Sequence, residues 1–301
     1  MRKLLNNGKG VIPTEKKSIF VTLFFAIFST ITGVGIVVPL LPIYANDLGA
    51  TGLYVGMIFG SFSISRTILL PVFGRLSDQK GRKPFIVAGL FAYTLISFAF
   101  IISDTVDILI VLRFIQGAAS AMIMPVVQAY VGEITPEGSE GYSMGLFNLS
   151  MFLSLSLGPI LGGTMMEWYS LNAAFVSMGV LSGLGLTVCI LFLPGMSDEK
   201  IQSKGKTPVP WARIIKDREI VSLFLFRYVY TACIGIIWCF LPLFAAVQFN
   251  LPGSQIGVLV TLGVFVSGLL HLPCGYLADR LNKKIMVIIG GLLSSVGMVL
   301  P

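Results

Sequence analysis

Nine long apolar runs constrain the fold of this chain more than any other feature of its sequence. They lie at about 18–45, 53–76, 84–103, 108–132, 142–166, 171–193, 219–247, 254–277 and 284–301. Each is close to the length of about 20 residues that an α-helix needs to cross the hydrocarbon core of a bilayer. Because lipid offers no partners for open sheet edges, the runs predict helices and not strands. We therefore expect an all-α membrane protein.

The distribution of charge predicts the orientation of these spans. The chain is only 12% charged, whereas soluble domains are about 25% charged. If the amino terminus is cytoplasmic and each span crosses once, 18 of the 21 Lys and Arg residues lie in cytoplasmic segments, as the positive-inside rule requires. The loop 133–141 is an exception, since it carries three glutamates and no base. The net charge of +7 thus reflects topology and does not predict a nucleic-acid partner.

Few residues in the chain suit catalysis or metal binding. The four cysteines lie inside predicted spans without metal-ligand spacing, and the chain has no Gly-x-x-x-x-Gly-Lys-Ser/Thr phosphate loop. We expect no metal, no cofactor and no enzymatic activity. The single histidine, His271, lies in the eighth span; it can titrate near neutral pH, although a lone helix histidine is more often a packed polar residue.

A short charged turn between the second and third spans recurs in the second half of the chain. It reads GRLSDQKGRK from Gly74 to Lys83, and the weaker copy GYLADRLNKK runs from Gly275 to Lys284. Glycine permits a tight turn and close helix approach, and a carboxylate at a helix end can pair with a cation or with another helix's amino terminus. At about 0.3–2 kcal/mol each, such contacts suit a reversible latch. The alternative is a basic loop that only sets topology.

The long polar stretch 194–217 predicts the boundary between two parts of the molecule. We expect a six-helix bundle over 1–193, a cytoplasmic loop over 194–217, and a partial second bundle of three helices over 218–301. Within the loop, Trp211, Ile214 and Ile215 share a helical face, so the loop is either an interfacial helix or a disordered tether. A repeated six-helix unit would need three more spans, so we expect a chain truncated at its carboxyl end.

Two further motifs lie inside the spans. In the fourth, LRFIQG places Arg113 and Gln116 one turn apart on one face. An intramembrane arginine costs at least about 2.5–3.5 kcal/mol, so it should face a cavity or a partner; the alternative is a structural anchor to carbonyls or to Gln128. In the fifth, SLSLGPILGG runs from Ser154 to Gly163. Its proline should bend the helix and its small residues should admit a neighbour, either as a hinge or as ordinary packing.

Together these motifs resemble the major facilitator superfamily, most closely its twelve-span drug:proton antiporter branch. The family's charged-loop pattern is matched at Gly74, Asp78, Gly81, Arg82 and Lys83, with Gln79 in place of the usual arginine, and the second copy keeps Gly275 and Asp279. The antiporter signature is matched at Gly158, Pro159, Gly162 and Gly163, with Ser154 in place of a leading glycine. The resemblance implies alternating access between two helical bundles and a role for the Arg113 position in proton transfer.

The resemblance and the charges inside the spans predict function differently. The resemblance implies a cell-membrane secondary transporter, monomeric, that exports small hydrophobic or amphiphilic compounds and uses the proton gradient in place of a cofactor. However, Arg66 and Arg113 lie within spans and no acid occupies the middle of one, which favours an anionic solute such as a carboxylate metabolite or sugar acid. A membrane-embedded enzyme or receptor would need a catalytic cluster, which the chain lacks.

Three structural expectations follow. The first six helices should form one bundle, and the next three should begin a second, related by an axis along the membrane normal. Asp279 should approach the amino end of the fifth helix near Gly141 to Gly145, while Asp78, whose counterpart would be an eleventh helix, should be exposed. Arg66 and Arg113 should point into the first bundle and away from lipid.

Overall fold

The computed structural model describes residues 14–194, 216–249 and 253–299, and within them the regular structure is helical. The α-helices are α1 Thr14–Asp47, α2 Gly52–Lys80, α3 Arg82–Ala99, α4 Val106–Ile134, α5 Glu140–Trp168, α6 Leu171–Phe192, α7 Arg218–Phe249, α8 Gly253–Arg280 and α9 Lys283–Val299. A 3₁₀ turn, Phe100–Ile102, continues α3. The described segments contain no strand, and the expected all-α class is confirmed.

Each helix corresponds to one predicted apolar run, and most extend a few residues beyond it. By length and composition, α1 to α6 and α8 are able to cross a membrane. The extension is clearest in α2, which continues through the charged residues that were assigned to the turn and ends at Lys80. Charged side chains at helix ends reach the interface while their backbone remains helical, so the apolar run marks the membrane part of a longer helix.

Turns between the helices are fixed by a few side chains. Thr105 caps α4 by accepting a hydrogen bond from the Ile108 amide at 3.4 Å, and Ser170 caps α6 by accepting from the Ala173 amide at 3.1 Å. Gly81, between α2 and α3, has φ 93°, a backbone conformation that favours glycine. The Tyr44 hydroxyl donates to the Ser103 carbonyl and so joins the end of α1 to the turn after α3.

Packing divides the described residues into two compact units. The first contains α1 to α6 together with residues 267–279 of α8, and the second contains α7, the rest of α8 and α9. In the first unit α1 packs against α5 and α6, α4 packs against α2 and α3, and α3 packs against α6. The largest fully buried side chains come from several of these helices and include Leu23, Tyr93, Phe100, Phe147 and Phe175.

α1 also packs against α2 and α4, and α4 also packs against α5, so these two helices have the most neighbours in the first unit. The predicted loop 194–217, including the face formed by Trp211, Ile214 and Ile215, falls almost wholly outside the described residues. The division into 1–193, 194–217 and 218–301 stays a prediction, as does the symmetry axis between bundles.

Candidate functional site

The polar site of the first unit is built around Arg113 on α4. Its side chain is only 2% exposed, and its Nη1 donates to Gln116 Oε1 at 2.7 Å. The two residues are three positions apart, so they share one helix face, as the sequence predicted. The alternative anchor, Gln128, is an exposed residue. The structure thus places Arg113 inside the protein, paired with a neutral partner.

Two aromatic rings of α2 hold the Arg113 guanidinium. The central guanidinium carbon, Cζ, lies 5.2 Å from the ring centroid of Phe59 and 4.8 Å from that of Phe62, within the range of cation–π attraction. Gly117 makes this possible, since a Cβ there would lie 2.3 Å from the Phe62 carbonyl oxygen. The close approach of α2 and α4 therefore brings the rings onto the charge. This role of Gly117 has no sign in the sequence, because its partner is on another helix.

Several buried polar atoms of the first unit have no hydrogen-bond partner among the described residues. Gln116 Nε2 has only a weak contact with Met178 Sδ at 4.0 Å. The unpartnered atoms are Arg113 Nε and the hydroxyls of Thr32, Ser65, Ser143 and Ser182. Buried polar groups are normally bonded to protein or water, and an unpaired one costs about 1–3 kcal/mol. Most of these atoms are within the spans, where a small polar molecule or water would satisfy them.

The environment of Arg66 on α2 differs from that of Arg113. Its side chain is half-buried, and within the described segments it forms no hydrogen bond or ion pair. Tyr93 of α3 lies within electrostatic range of both Arg66 and Arg113, and its hydroxyl faces Ser120. The two guanidinium groups therefore act on one buried region, but only Arg113 is enclosed.

The turn between α2 and α3 forms a charge cluster. Arg82 Nη1 lies 2.5 Å from Asp78 Oδ1 and donates to Ser77 Oγ at 2.6 Å, and its Nη2 donates to Glu133 Oε1 of α4 at 2.6 Å. Asp78 is 53% exposed, in agreement with the expectation for this carboxylate. Sequence reasoning missed Glu133, which it had treated only as an exception to the charge rule. The signal available was an acid without a basic neighbour in its own loop.

Lys83 forms a second set of hydrogen bonds at this end of the first unit. Its Nζ donates to the carbonyl oxygens of Ile190, at 2.9 Å, and of Leu193. These carbonyls lie in the last turn of α6 and just after it, where a helix has no internal donors for them and carries partial negative charge. Lys83 thereby fixes the end of α6, a contact that the motif alone did not predict.

The second copy of the charged turn meets α5. Asp279 Oδ1 accepts from the Gly141 amide at 2.7 Å, and its Oδ2 accepts from the Tyr142 amide at 2.8 Å. A Cβ added at Gly275 would lie 2.2 Å from the Gly141 carbonyl oxygen, whereas Gly74 in the first copy has open space. The prediction that Asp279 approaches the amino end of α5 is confirmed.

The α5 signature lies along α1 as a row of four contacts, which we call the α1–α5 rungs. Ser150 donates to the carbonyl oxygen of Phe24 at 3.1 Å. Ser154 shares its hydrogen between the carbonyl oxygens of Phe28, at 3.1 Å, and of Ser150 in its own helix, at 2.7 Å. One and two turns further, Gly158 and Gly162 lie against the carbonyl oxygens of the corresponding α1 residues, Thr32 and Ile36; a Cβ would come within 2.9 and 2.6 Å of them. The sequence predicted a shared face for the two glycines but gave neither the neighbour nor the serine contacts.

Two members of the signature stand apart from the rungs. Pro159 is exposed and lies inside α5, where it removes a backbone donor, and its ring carbon is near Gly35 of α1. A Cβ added at Gly158 would approach the Gly35 Cα to 2.6 Å, so the backbones of α1 and α5 meet there. The surroundings of Gly163 lie outside the part of the chain that the structure describes.

Nearly the whole chain is similar in sequence to known proteins. The family model described as Major Facilitator Superfamily matches residues 23–301. An uncharacterized MFS-type transporter of Methanocaldococcus jannaschii is 33% identical over 289 residues, covering 95% of this chain and 74% of that protein.

Two bacterial relatives are named for resistance. Multidrug resistance protein 1 of Bacillus subtilis and quinolone resistance protein NorA of Staphylococcus aureus are each 28% identical, over 89% of this chain and 68% of theirs. Among solved structures, the human organic anion transporter MFSD10 (TETRAN) superposes with a TM-score of 0.68 at 18% identity, over 89% of this chain and 73% of that one. At that identity, the superposition carries the fold alone.

Proposed function

The chain belongs to the major facilitator superfamily, whose members are multi-pass membrane transporters and not enzymes, and from this premise we propose that it exports small hydrophobic or amphiphilic compounds in exchange for protons. Two relatives carry the words multidrug and quinolone resistance in their names. Transport would proceed by alternating access between a bundle over 1–193 and a second that begins at 218. The protein would act as a monomer in the cell membrane, with its amino terminus in the cytoplasm.

The observation that carries this proposal is the contact of the antiporter signature with α1. Gly158 and Gly162 abut the α1 backbone so closely that no side chain fits between the helices. Small residues that let two backbones meet in this way leave no space for water or ions along the contact. A tight seal between α1 and α5 is what an exporter needs if protons are not to leak past its substrate route.

The polar site around Arg113 suits the handling of substrate and proton in the first unit. The guanidinium is held by two rings and Gln116, and its Nε is left without a partner. A charge enclosed in this way polarises the neighbouring hydroxyls and any water that enters. The surrounding Phe59, Phe62 and Met178 side chains offer an apolar wall to an amphiphilic compound.

The latch role proposed for the second charged turn rests on Asp279. Its two carboxylate oxygens accept hydrogen bonds from the first turn of α5, where the helix dipole is positive. Such charge–dipole contacts contribute about 0.3–2 kcal/mol, small enough to be broken in each transport cycle. Asp78 and Arg82, with Gly74, Gly81 and Lys83, would serve the corresponding role at the first turn.

A second candidate function is the transport of an organic anion such as a carboxylate metabolite. The observation in its favour is that, in the described residues, no acid pairs with Arg66 or Arg113. A carboxylate bound between them would satisfy Arg113 Nε and offset two charges at once. The two candidates differ in what neutralising these arginines does.

Accumulation in everted membrane vesicles tests the choice. Norfloxacin and ethidium serve as probes for the exporter, and a panel of labelled carboxylates serves for the carrier, each with and without a proton uncoupler. We expect uncoupler-sensitive accumulation of at least one amphiphilic probe. Accumulation of carboxylates alone, lost in Arg66→Gln and Arg113→Gln variants, would replace the exporter by the anion carrier.

A further inference from the structure

His271 lies where α8 packs against α5 within the first unit. Its ring is 4.5 Å from that of Phe152, centroid to centroid, at an interplanar angle of 36°. Gly268, one turn earlier on α8, allows this approach, since a Cβ there would lie 2.6 Å from Phe152 Cβ. The imidazole is half-buried and lies nine residues before Arg280, or about 14 Å along the helix at 1.5 Å per residue.

The hydrogen bond of His271 fixes which of its nitrogens can take a proton. Nδ1 is 2.7 Å from the carbonyl oxygen of Ser267. A carbonyl oxygen only accepts, so Nδ1 carries the hydrogen of the neutral ring, and the lone pair lies on Nε2. Within the described segments Nε2 has no hydrogen-bond partner. The hydrogen bond to the helix backbone thus orients the ring and leaves its basic atom, Nε2, available to bind a proton.

No other group of the described helices combines this position with this chemistry. Every Asp and Glu of the described helices lies within three residues of a helix end. The titratable or charged groups on the two elements that meet at His271 lie towards the helix ends; they are Glu140, Tyr142 and Glu167 on α5 and Cys274, Tyr276, Asp279 and Arg280 on α8. Among these, Asp279 is engaged by backbone amides of α5. An imidazole is the side chain whose ordinary pKa, about 6.5, permits a change of charge near neutral pH.

We propose that His271 Nε2 binds the proton that is exchanged for substrate, an inference that rests on the proposed export function. The proton comes from water and returns to water, with Nδ1–H remaining on the Ser267 carbonyl throughout. A protonated ring donates from both nitrogens, so Nε2–H requires an acceptor that the Phe152 face does not supply. Water entering between α5 and α8 would provide it, so proton binding requires water at this contact.

The chain holds one histidine, which makes the proton site directly observable. We would label the protein with [13Cε1, 15N]histidine, purify it without a polyhistidine tag into lipid nanodiscs, and follow by NMR the histidine signal that is lost in His271→Gln. The signal should move between about pH 5 and 8, and the neutral form should show hydrogen on Nδ1. A signal that does not move over this range, or a neutral form with hydrogen on Nε2, would overturn the proposal.

A transport measurement then links the site to coupling. In everted vesicles, His271→Gln should lose uncoupler-sensitive accumulation of the amphiphilic probe while retaining exchange of probe down its gradient. Leu270→Ala is the matched control, because Leu270 adjoins His271 on α8 with a side chain that is 54% exposed, and it should accumulate as the wild type does. Full proton-driven accumulation by His271→Gln would refute the coupling role. If the wild type itself shows no uncoupler-sensitive transport, the proposed function fails, whereas the NMR titration still decides whether His271 binds a proton.

Discussion

Helix α5 is held on two sides by different chemistry. Towards α1 it offers the four α1–α5 rungs, two hydroxyl hydrogen bonds followed by two glycines against backbone. Towards α8 it offers the amides of its first turn to Asp279 and the ring of Phe152 to His271. The first side depends on shape and neutral hydrogen bonds, and the second depends on charged or chargeable groups.

This difference indicates which contact is permanent. The rungs depend on neither pH nor salt, and they run over more than three helical turns of α5. The α8 side has one carboxylate at the end of the helix and one imidazole further in, side chains of types whose interactions depend on charge and solvent. We therefore expect α1 and α5 to move together, while the contact between α5 and residues 267–279 opens. Substitutions on the two sides should accordingly have different effects.

The largest effect should come from filling the glycine half of the rungs. Leu at position 162 would place its Cβ 2.6 Å from the Ile36 carbonyl oxygen, and backbone cannot yield as a side chain does. Such overpacking typically costs about 1–3 kcal/mol, while Leu keeps the helix apolar and well formed. Gly162→Leu should reach the membrane in near-normal amounts and export nothing, as checked by immunoblot and vesicle transport.

The control for that variant adds bulk elsewhere on the same helix. Ile160 is 54% exposed, so Ile160→Phe should transport as the wild type does. If well-expressed Gly162→Leu transported as the wild type does, the rungs would be ordinary packing that tolerates added side-chain volume.

A smaller but specific effect is expected at Gly275 on the α8 side. Alanine there would bring a Cβ to 2.2 Å from the Gly141 carbonyl oxygen and keep α5 and α8 apart. We expect reduced export and faster labelling of a cysteine introduced at position 148, which lies on α5 between Gly141 and Phe152, in a background without the native cysteines. Gly132→Ala, whose Cβ meets only a Met144 methyl at 3.8 Å, is the matched control. Unchanged labelling would mean that this side does not open.

Removing the charge of Asp279 should weaken the same side without adding bulk. An asparagine can still accept one amide hydrogen bond, but it loses the attraction of a carboxylate to a helix amino end, about 0.3–2 kcal/mol. Asp279→Asn should therefore slow export by a few-fold and raise cysteine labelling at position 148, more at low salt than at high salt. An equal effect of salt on wild type and variant would argue against the charge–dipole contact.

The smallest effect belongs to the serine half of the rungs. Ser154→Ala removes the bond to Phe28, and the one to Ser150 within α5, but leaves the helices in contact; interhelical hydrogen bonds in membrane proteins average about 0.6 kcal/mol. We expect near-normal export and a melting temperature lowered by a few degrees. Ser156→Ala, which loses only a bond within α5, should lower it less. A larger loss of transport from Ser154→Ala than from Gly162→Leu would mean that the serine hydrogen bonds, and not the close backbone contacts of the glycines, dominate the α1–α5 rungs.

The sequence was a good guide to what each helix contributes by itself. Apolar runs predicted nine helices, spacing put Arg113 with Gln116 and Gly158 with Gly162, and the repeat of Asp78 at Asp279 predicted the contact with α5. These inferences use only distances along one helix or a resemblance between the two halves of the chain.

What the sequence could not supply was the partner across each contact. Nothing along α5 indicates that Ser150 meets the Phe24 carbonyl, and Glu133 is 51 residues from the Arg82 that binds it. A backbone carbonyl is present at every position, so an acceptor on another helix leaves no mark in the sequence. Lys83 and Gly117 were missed for the same reason.

The constant offset of the rungs restricts how this protein can vary in length. Ser150 and Ser154 are each 126 residues from their acceptors, and the two glycines keep the same separation from theirs. Deleting one residue inside α1 would turn every later rung by about 100°, away from α5. Insertions in the loops between the helices would leave the rungs untouched. We therefore expect libraries of variants to accept insertions and deletions in the connecting turns, and to reject them between residues 24 and 36 or between 150 and 162.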